Sequence, residues 1–293
     1  MLVILGKRAD QVSALFHFYP LIFLLGATLI VSGCSSHFLD DREGTANQLA
    51  ASRGWIAKNI STRTFTLRAY KPVGNEGKPS KTLTVYIEGD GFAWRTRYTP
   101  SMDPTPDNPI SLKMALADVS GNAAYLARPC QFTIDLDRDK CGYSLWTSAR
   151  YSELVIRSMD EGVSALKVLA HAQRIKLVGY SGGGVVAALL AARRNDVAQL
   201  ITVASNLDID YWTRLHGVSP LSLSLNPAKM TALKNVPQIH YVGERDVIVP
   251  RSVAESFLRL IGRDINGTLR TITGVDHECC WPEIWPGLQR KLD

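Results

Sequence analysis

The stretch Ile175-Lys176-Leu177-Val178-Gly179-Tyr180-Ser181-Gly182-Gly183-Gly184-Val185-Val186-Ala187-Ala188-Leu189-Leu190 decides the fold. Its first four residues are a short, mostly apolar run that reads as a buried strand. From Val185 to Arg193 the chain is small and apolar, which suits a buried helix. Only a glycine-rich turn separates the two. A serine at so tight a strand-to-helix turn is forced into strained backbone geometry, and small neighbours relieve the crowding. The turn lifts the hydroxyl off the sheet edge. It also sets the Gly182 amide at a helix N-terminus, where a developing oxyanion can be bound. Gly-x-Ser-x-Gly is common by chance, so its weight comes from the strand before it and the helix after it. A phosphate loop would need Gly-x-x-x-x-Gly-Lys, and Lys176 lies upstream instead.

Working outward, the residue patterns predict strands over 64–70, 83–87, 123–126, 197–204, 238–242 and 268–273. Helical spacing covers 112–119, 151–170 and 251–261, and a last helix is expected over the final dozen residues. Strands alternating with helices predict an α/β fold: a mostly parallel, doubly wound sheet with helices on both faces. No repeat or linker divides 62–293, which is expected to be one domain. Residues 34–61 are polar and irregular and read as a tether. The insertion 205–236 carries Tyr211, Trp212, Leu221 and Leu223, which suits either a cap over an acyl pocket or a small packed subdomain.

A serine nucleophile needs a base, and the base needs a partner that fixes its tautomer. His277 follows the last expected strand in Gly274-Val275-Asp276-His277, at the sheet edge where a doubly wound fold exposes reactive groups. Asp246 follows the strand before it and is the expected acid, with Asp208 and Asp210 as rivals. His17 and His37 lie in the leader and the tether, His171 precedes the nucleophile, and His240 falls inside a strand. His216 is a candidate for lining the pocket. No residues have metal-ligand spacing, and no cofactor is needed for this chemistry.

Composition agrees with a folded protein. Of 293 residues, 46% are hydrophobic and 20% charged, which excludes long disorder. The net charge of +6 is mild and forms no basic stripe, so no nucleic-acid partner is expected. At the N-terminus, Lys7 and Arg8 precede the apolar run 21–31, too short to span a bilayer and right for a secretory leader. It ends in Val31-Ser32-Gly33-Cys34. These four residues resemble the lipobox of bacterial lipoproteins, which implies that 1–33 is removed and Cys34 acylated. Serine after that cysteine implies sorting to the outer membrane, facing the periplasm. Of five cysteines, Cys130, Cys141, Cys279 and Cys280 then remain. Four allow three pairings, with Cys130–Cys141 favoured; Cys279 and Cys280 either bridge each other or stay reduced.

The order Ser181, Asp246, His277 resembles the α/β-hydrolase superfamily over 62–293. Ala127-Arg128-Pro129-Cys130-Gln131, Trp146-Thr147-Ser148-Ala149-Arg150, Ser205-Asn206-Leu207-Asp208 and Ser224-Leu225-Asn226-Pro227 sharpen it. They look like the α/β-hydrolase lipoproteins of proteobacterial cell envelopes. The superfamily implies a second oxyanion amide after an early strand, where Glu88-Gly89-Asp90-Gly91-Phe92 stands. Gly91 is nominated as that donor beside Gly182, with Phe92, Tyr180 and Trp212 as substrate contacts. The resemblance implies the fold and the chemistry of a serine hydrolase working through an acyl-enzyme, not its target; the leading expectation is a hydrolase of carboxylic esters, with a small acyl ester or lipid as substrate. A serine peptidase and a non-catalytic scaffold are the alternatives, and nothing in the sequence bears on oligomeric state.

Overall fold

A computed structural model describes residues 41–74 and 80–292. The leader 1–33 and Cys34 lie outside the described residues. Strands β1 (Trp55–Ser61), β2 (Thr66–Pro72), β3 (Ser80–Ile87), β4 (Ala123–Leu126), β5 (Ala172–Tyr180), β6 (Val197–Val203), β7 (Gln238–Gly243) and β8 (Leu269–Ile272) form one sheet in the order β1-β2-β4-β3-β5-β6-β7-β8. The first two pairings, β1 with β2 and β2 with β4, are antiparallel. Every later pairing is parallel.

Side chains alternate across the pleat, so each strand feeds two cores. Leu83, Val85 and Ile87 of β3 and Ile175 and Leu177 of β5 face one core. There they meet helices α3 (Glu153–Leu169), α4 (Gly182–Ala191) and α6 (Arg251–Ile261). Tyr86, Val178 and Tyr180 face the other core, built with α1 (Arg42–Ala51), α2 (Ile110–Leu116) and α8 (Trp281–Gln289). Burial on both faces is why β3 and β5 read as near-continuous apolar runs. Helix α4 is buried along its whole length, as its composition requires. The remaining α-helices among the described residues are α5 (Ile209–Leu215) and the single turn α7 (Ile265–Thr268).

One expectation is corrected, and one open alternative is decided. Residues 42–61 are no tether, because α1 and β1 belong to the same compact unit as the rest of the described chain. Ala46, Ala50, Trp55 and Ile60 are buried, Arg68 pairs with Glu43 at 2.7 Å, and the Tyr70 hydroxyl donates to Asn47. The region 205–236 packs rather than caps. Leu207, Ile209, Ala228 and Leu233 join the core beside α6, and Asn226 and Asp208 are tied together by a side-chain hydrogen bond.

Candidate active site

The carboxyl ends of β3, β5, β7 and β8 lie at one edge of the sheet, and a loop from each contributes to a single cleft of about 390 Å³. Ser181 follows β5 with φ 50° and ψ −124°. A positive φ at a non-glycine residue costs on the order of 1–3 kcal/mol, so the surroundings must hold it. The Ser181 amide donates to the Val203 carbonyl at 2.8 Å, tying the turn to β6. Gly179 and Gly184 permit the turn by close approach. A Cβ on Gly179 would collide with the Gly183 carbonyl, and one on Gly184 with Ser205 Oγ.

His277 Nε2 lies 3.1 Å from Ser181 Oγ, and Nδ1 lies 2.9 Å from Asp246 Oδ2. The carboxylate can only accept, so Nδ1 carries the proton and Nε2 is left to accept from the serine hydroxyl. Asp246 is fully enclosed, and its other oxygen accepts the Ile248 and Val249 amides at 2.9 and 2.7 Å. The arrangement can therefore move the Ser181 proton onto an imidazole whose tautomer and orientation are fixed. The rival acid Asp208 caps α5 and accepts from Ser256, well occupied elsewhere.

The His277 loop is held from behind. Tyr180 Oη and Trp281 Nε1 both donate to the His277 carbonyl at 3.0 Å. Burial, with nearby carboxylates, pushes the Tyr180 phenol well up, so it stays a donor. Cys279 and Cys280 follow directly, with sulfurs 1.93 Å apart; those of Cys130 and Cys141 lie 2.15 Å apart.

The loop after β3 supplies the other wall, including Gly91 and Phe92. The Gly89 amide donates to Glu88 Oε1 and the Phe92 amide to the Pro104 carbonyl. Asp90 and Gly91 are thus the residues whose amides remain as partners for Gly182, which opens α4. Where the superfamily often has histidine, Glu88 accepts from Gly89 and Ser111 and ties β3 to α2. Burial raises its carboxyl above the usual range.

One cluster behind this wall escaped the sequence reading. Asp90 is clamped by Arg128 Nη1 and by Arg150 Nη1, the latter at 2.7 Å, and the Tyr151 hydroxyl donates to it at 3.2 Å. Arg128 Nη2 donates to the Arg150 carbonyl, and both guanidinium groups lie over the Tyr151 ring. Burial acts to raise the Asp90 carboxyl, but Arg150 and Arg128 together hold it below the usual range. The cluster holds two buried cations against one carboxylate, and that carboxylate is its charged group nearest to Gly182. A Cβ on Gly182 would collide with Asp90 Oδ1, so the cluster packs directly against the turn.

Of the expected substrate contacts, Phe92 and Tyr180 line the cleft and Trp212 does not. The Trp212 indole is spent on the Ile248 carbonyl at 2.8 Å, with Arg150 over its face. His216 donates to the same carbonyl and is likewise absent from the lining. It is Ile248 that reaches the cleft. His240 is buried between Thr202 and Gln238, as a strand histidine should be.

No family model and no curated protein matches the sequence. Among solved structures the chain is similar to Est1E from Butyrivibrio proteoclasticus, with TM-score 0.57 and 15% identity over 80% of this chain and 96% of that one. It is similar to a putative dienelactone hydrolase from Klebsiella pneumoniae, with TM-score 0.54 and 16% identity over 81% and 97%. It is also similar to a membrane phospholipase A described as a bacterial virulence factor, with TM-score 0.54 and 15% identity over 93% and 98%. At these identities the likeness speaks for architecture alone, and the architecture is the α/β-hydrolase fold.

Proposed function

We propose that the protein is a serine hydrolase of carboxylic esters. The observation that carries this reading is the continuous relay from Asp246 through His277 to Ser181, mounted on a strained turn at the floor of a cleft. His277 takes the Ser181 proton as the hydroxyl oxygen attacks the acyl carbonyl. The Gly182 and Gly91 amides hold the oxyanion, the latter on a loop that Arg128 and Arg150 fix through Asp90. His277 then gives its proton to the leaving alcohol, and water attacks the acyl-enzyme by the same route in reverse. The cleft lining mixes Phe92, Ile110 and Ile248 with polar groups, which suits an acyl chain joined to a polar head. Neighbours in fold that are esterases and a phospholipase support this class.

We also propose that Cys34 carries acyl chains that hold the protein on the periplasmic face of the outer membrane. A fluorophosphonate probe tests the chemistry: it should label the protein and fail to label Ser181→Ala. Equal labelling of both, or of neither, refutes the assignment. Membrane fractionation tests the anchor, since a Cys34→Ala chain that still partitioned with membranes would remove the lipid proposal.

A further inference from the structure

The loop between β3 and α2 carries a feature that ester chemistry does not use. From Trp94 to Pro100 it folds into a small hairpin, closed by a bridge between those two residues and by the Arg95 amide on the Thr99 carbonyl. Every residue from Trp94 to Thr99 is exposed, Tyr98 at 81%. Arg95 and Arg97 have no ion-pair partner among the described residues, and the Arg97 guanidinium lies over the Tyr98 ring.

The hairpin stands on a firm base. Ala93 is buried with Trp146 and Cys130, the Trp146 indole donates to the Ser101 carbonyl, and Cys130–Cys141 closes the loop beneath. Exposed Met102 and Tyr143 touch one another and extend the apolar surface into a neighbouring hollow of about 480 Å³. Burying such a surface would be the ordinary outcome of folding; here it is presented ready-made.

Position gives it meaning. The hairpin begins two residues after Phe92, which lines the cleft with Ser181. Arg42, the first residue of α1, lies over the Phe92 ring at 5.2 Å and donates to the Thr105 carbonyl. Cys34 is eight residues upstream of Arg42. Eight residues reach at most about 28 Å, so an acyl chain on Cys34 would hold the first residue of α1, beside the Phe92 wall of the cleft, within that distance of the bilayer.

We infer that the Trp94–Pro100 hairpin docks on a bilayer carrying anionic headgroups, turning the cleft mouth toward the membrane so that a lipid-resident acyl ester enters from it. Trp and Tyr suit the headgroup level, where an apolar ring and a polar edge are both satisfied, and Arg95 and Arg97 suit anionic headgroups. The inference rests on the ester-hydrolase and Cys34 proposals, and its test separates failure of either from its own.

The full-length lipidated protein is reconstituted in phosphatidylcholine/phosphatidylglycerol vesicles with brominated acyl chains. Trp94 emission, taken as wild type minus Trp94→Phe, should be quenched by the bromines. In vesicles without bromine, a Trp94→Ala/Arg95→Glu/Arg97→Glu/Tyr98→Ala variant should hydrolyse a long-chain fluorogenic ester in the bilayer at least tenfold more slowly. Its rate on soluble p-nitrophenyl acetate should stay within twofold, which also reports that it is folded. Equal rates on the bilayer ester, or no quenching of Trp94, overturns the docking surface. A wild type inert toward both esters sinks the hydrolase reading, and quenching still decides the docking. Unacylated Cys34 by intact mass sinks the anchor reading alone.

Discussion

Replacing Asp90 with asparagine removes the one carboxylate that Arg128 and Arg150 pair with among the described residues. The two arginine side chains are 4% and 7% exposed, too enclosed for water to take over the lost partner. Removing one member of a buried ion pair typically costs about 3–5 kcal/mol, because a desolvated charge is left uncompensated. Part of the hydrogen bonding survives, since an asparagine oxygen still accepts, so Asp90→Asn belongs near the lower figure and Asp90→Ala near the upper. With a urea m-value of about 3 kcal/mol/M, the unfolding midpoint should fall by roughly 1 M and 1.7 M respectively. Tryptophan fluorescence during urea unfolding measures both.

Two controls isolate the cause. Arg150→Met in the Asp90→Asn background removes a cation from the unbalanced cluster, so the double variant should be less destabilised than the two single changes summed, by about 1–3 kcal/mol. The Asp90 carboxyl is held below its usual range in the fold, so its contribution is present above about pH 4 and lost as pH falls below it. Wild type should therefore lose stability more steeply than Asp90→Asn in that acid window. A midpoint for Asp90→Asn within 0.2 M of wild type, roughly 0.6 kcal/mol at this slope, would refute the idea that this carboxylate compensates the two buried guanidinium groups.

Three further outcomes are expected. His240 is kept neutral by burial, its pKa lowered to about 3, so stability should fall by about 1.4 kcal/mol per pH unit below 6.5, and His240→Asn should flatten that slope between pH 6.5 and 5 in urea titrations. Gly184→Ala drives a methyl into Ser205 and should cost about 1–3 kcal/mol, with Ser205→Gly in the same chain restoring most of the loss. Replacing Cys130 and Cys141 by alanine reopens a loop of sequence separation 11, and the melting transition should reflect a loss of about 3 kcal/mol.

What the sequence disclosed, and what it hid, follows from how each signal is written in the chain. Helix α6 and strand β4 fall where the pattern predicts because most of their inward positions are apolar. Helix α1 buries Ala46 and Ala50 and packs half-buried Leu49 beside them, while β1 buries only Trp55 and Ile60, an edge strand paired on one side. Two of the three inward residues of α1 are alanines and β1 does not alternate, so the sequence of this segment reads as a tether. Ser181, Asp246 and His277 were legible because each follows its own strand at one sheet edge. The Asp90 cluster was not, because its members lie 38 and 60 residues apart and no local pattern joins a loop aspartate to two distant arginines. Trp212 was misplaced for a related reason: aromatic character marks a residue for burial but does not say against what, and here the Ile248 carbonyl claims its N–H.

That hidden cluster also changes the meaning of the motif that was legible. Gly182 was assigned from the need for a free amide beside the nucleophile, yet a glycine is required there even without catalysis, because Asp90 Oδ1 occupies the space of a Cβ. The turn and the cluster are therefore one construction. A well-packed apolar substitute for a buried Arg–Asp–Arg group is often as stable or more so. Stability alone gives no reason to bury two guanidinium groups behind a serine turn. The proposed reaction does give one: clamping Asp90 fixes the loop that carries the candidate oxyanion amides against the Gly182 turn, while the strain at Ser181 would hold its oxygen where it attacks.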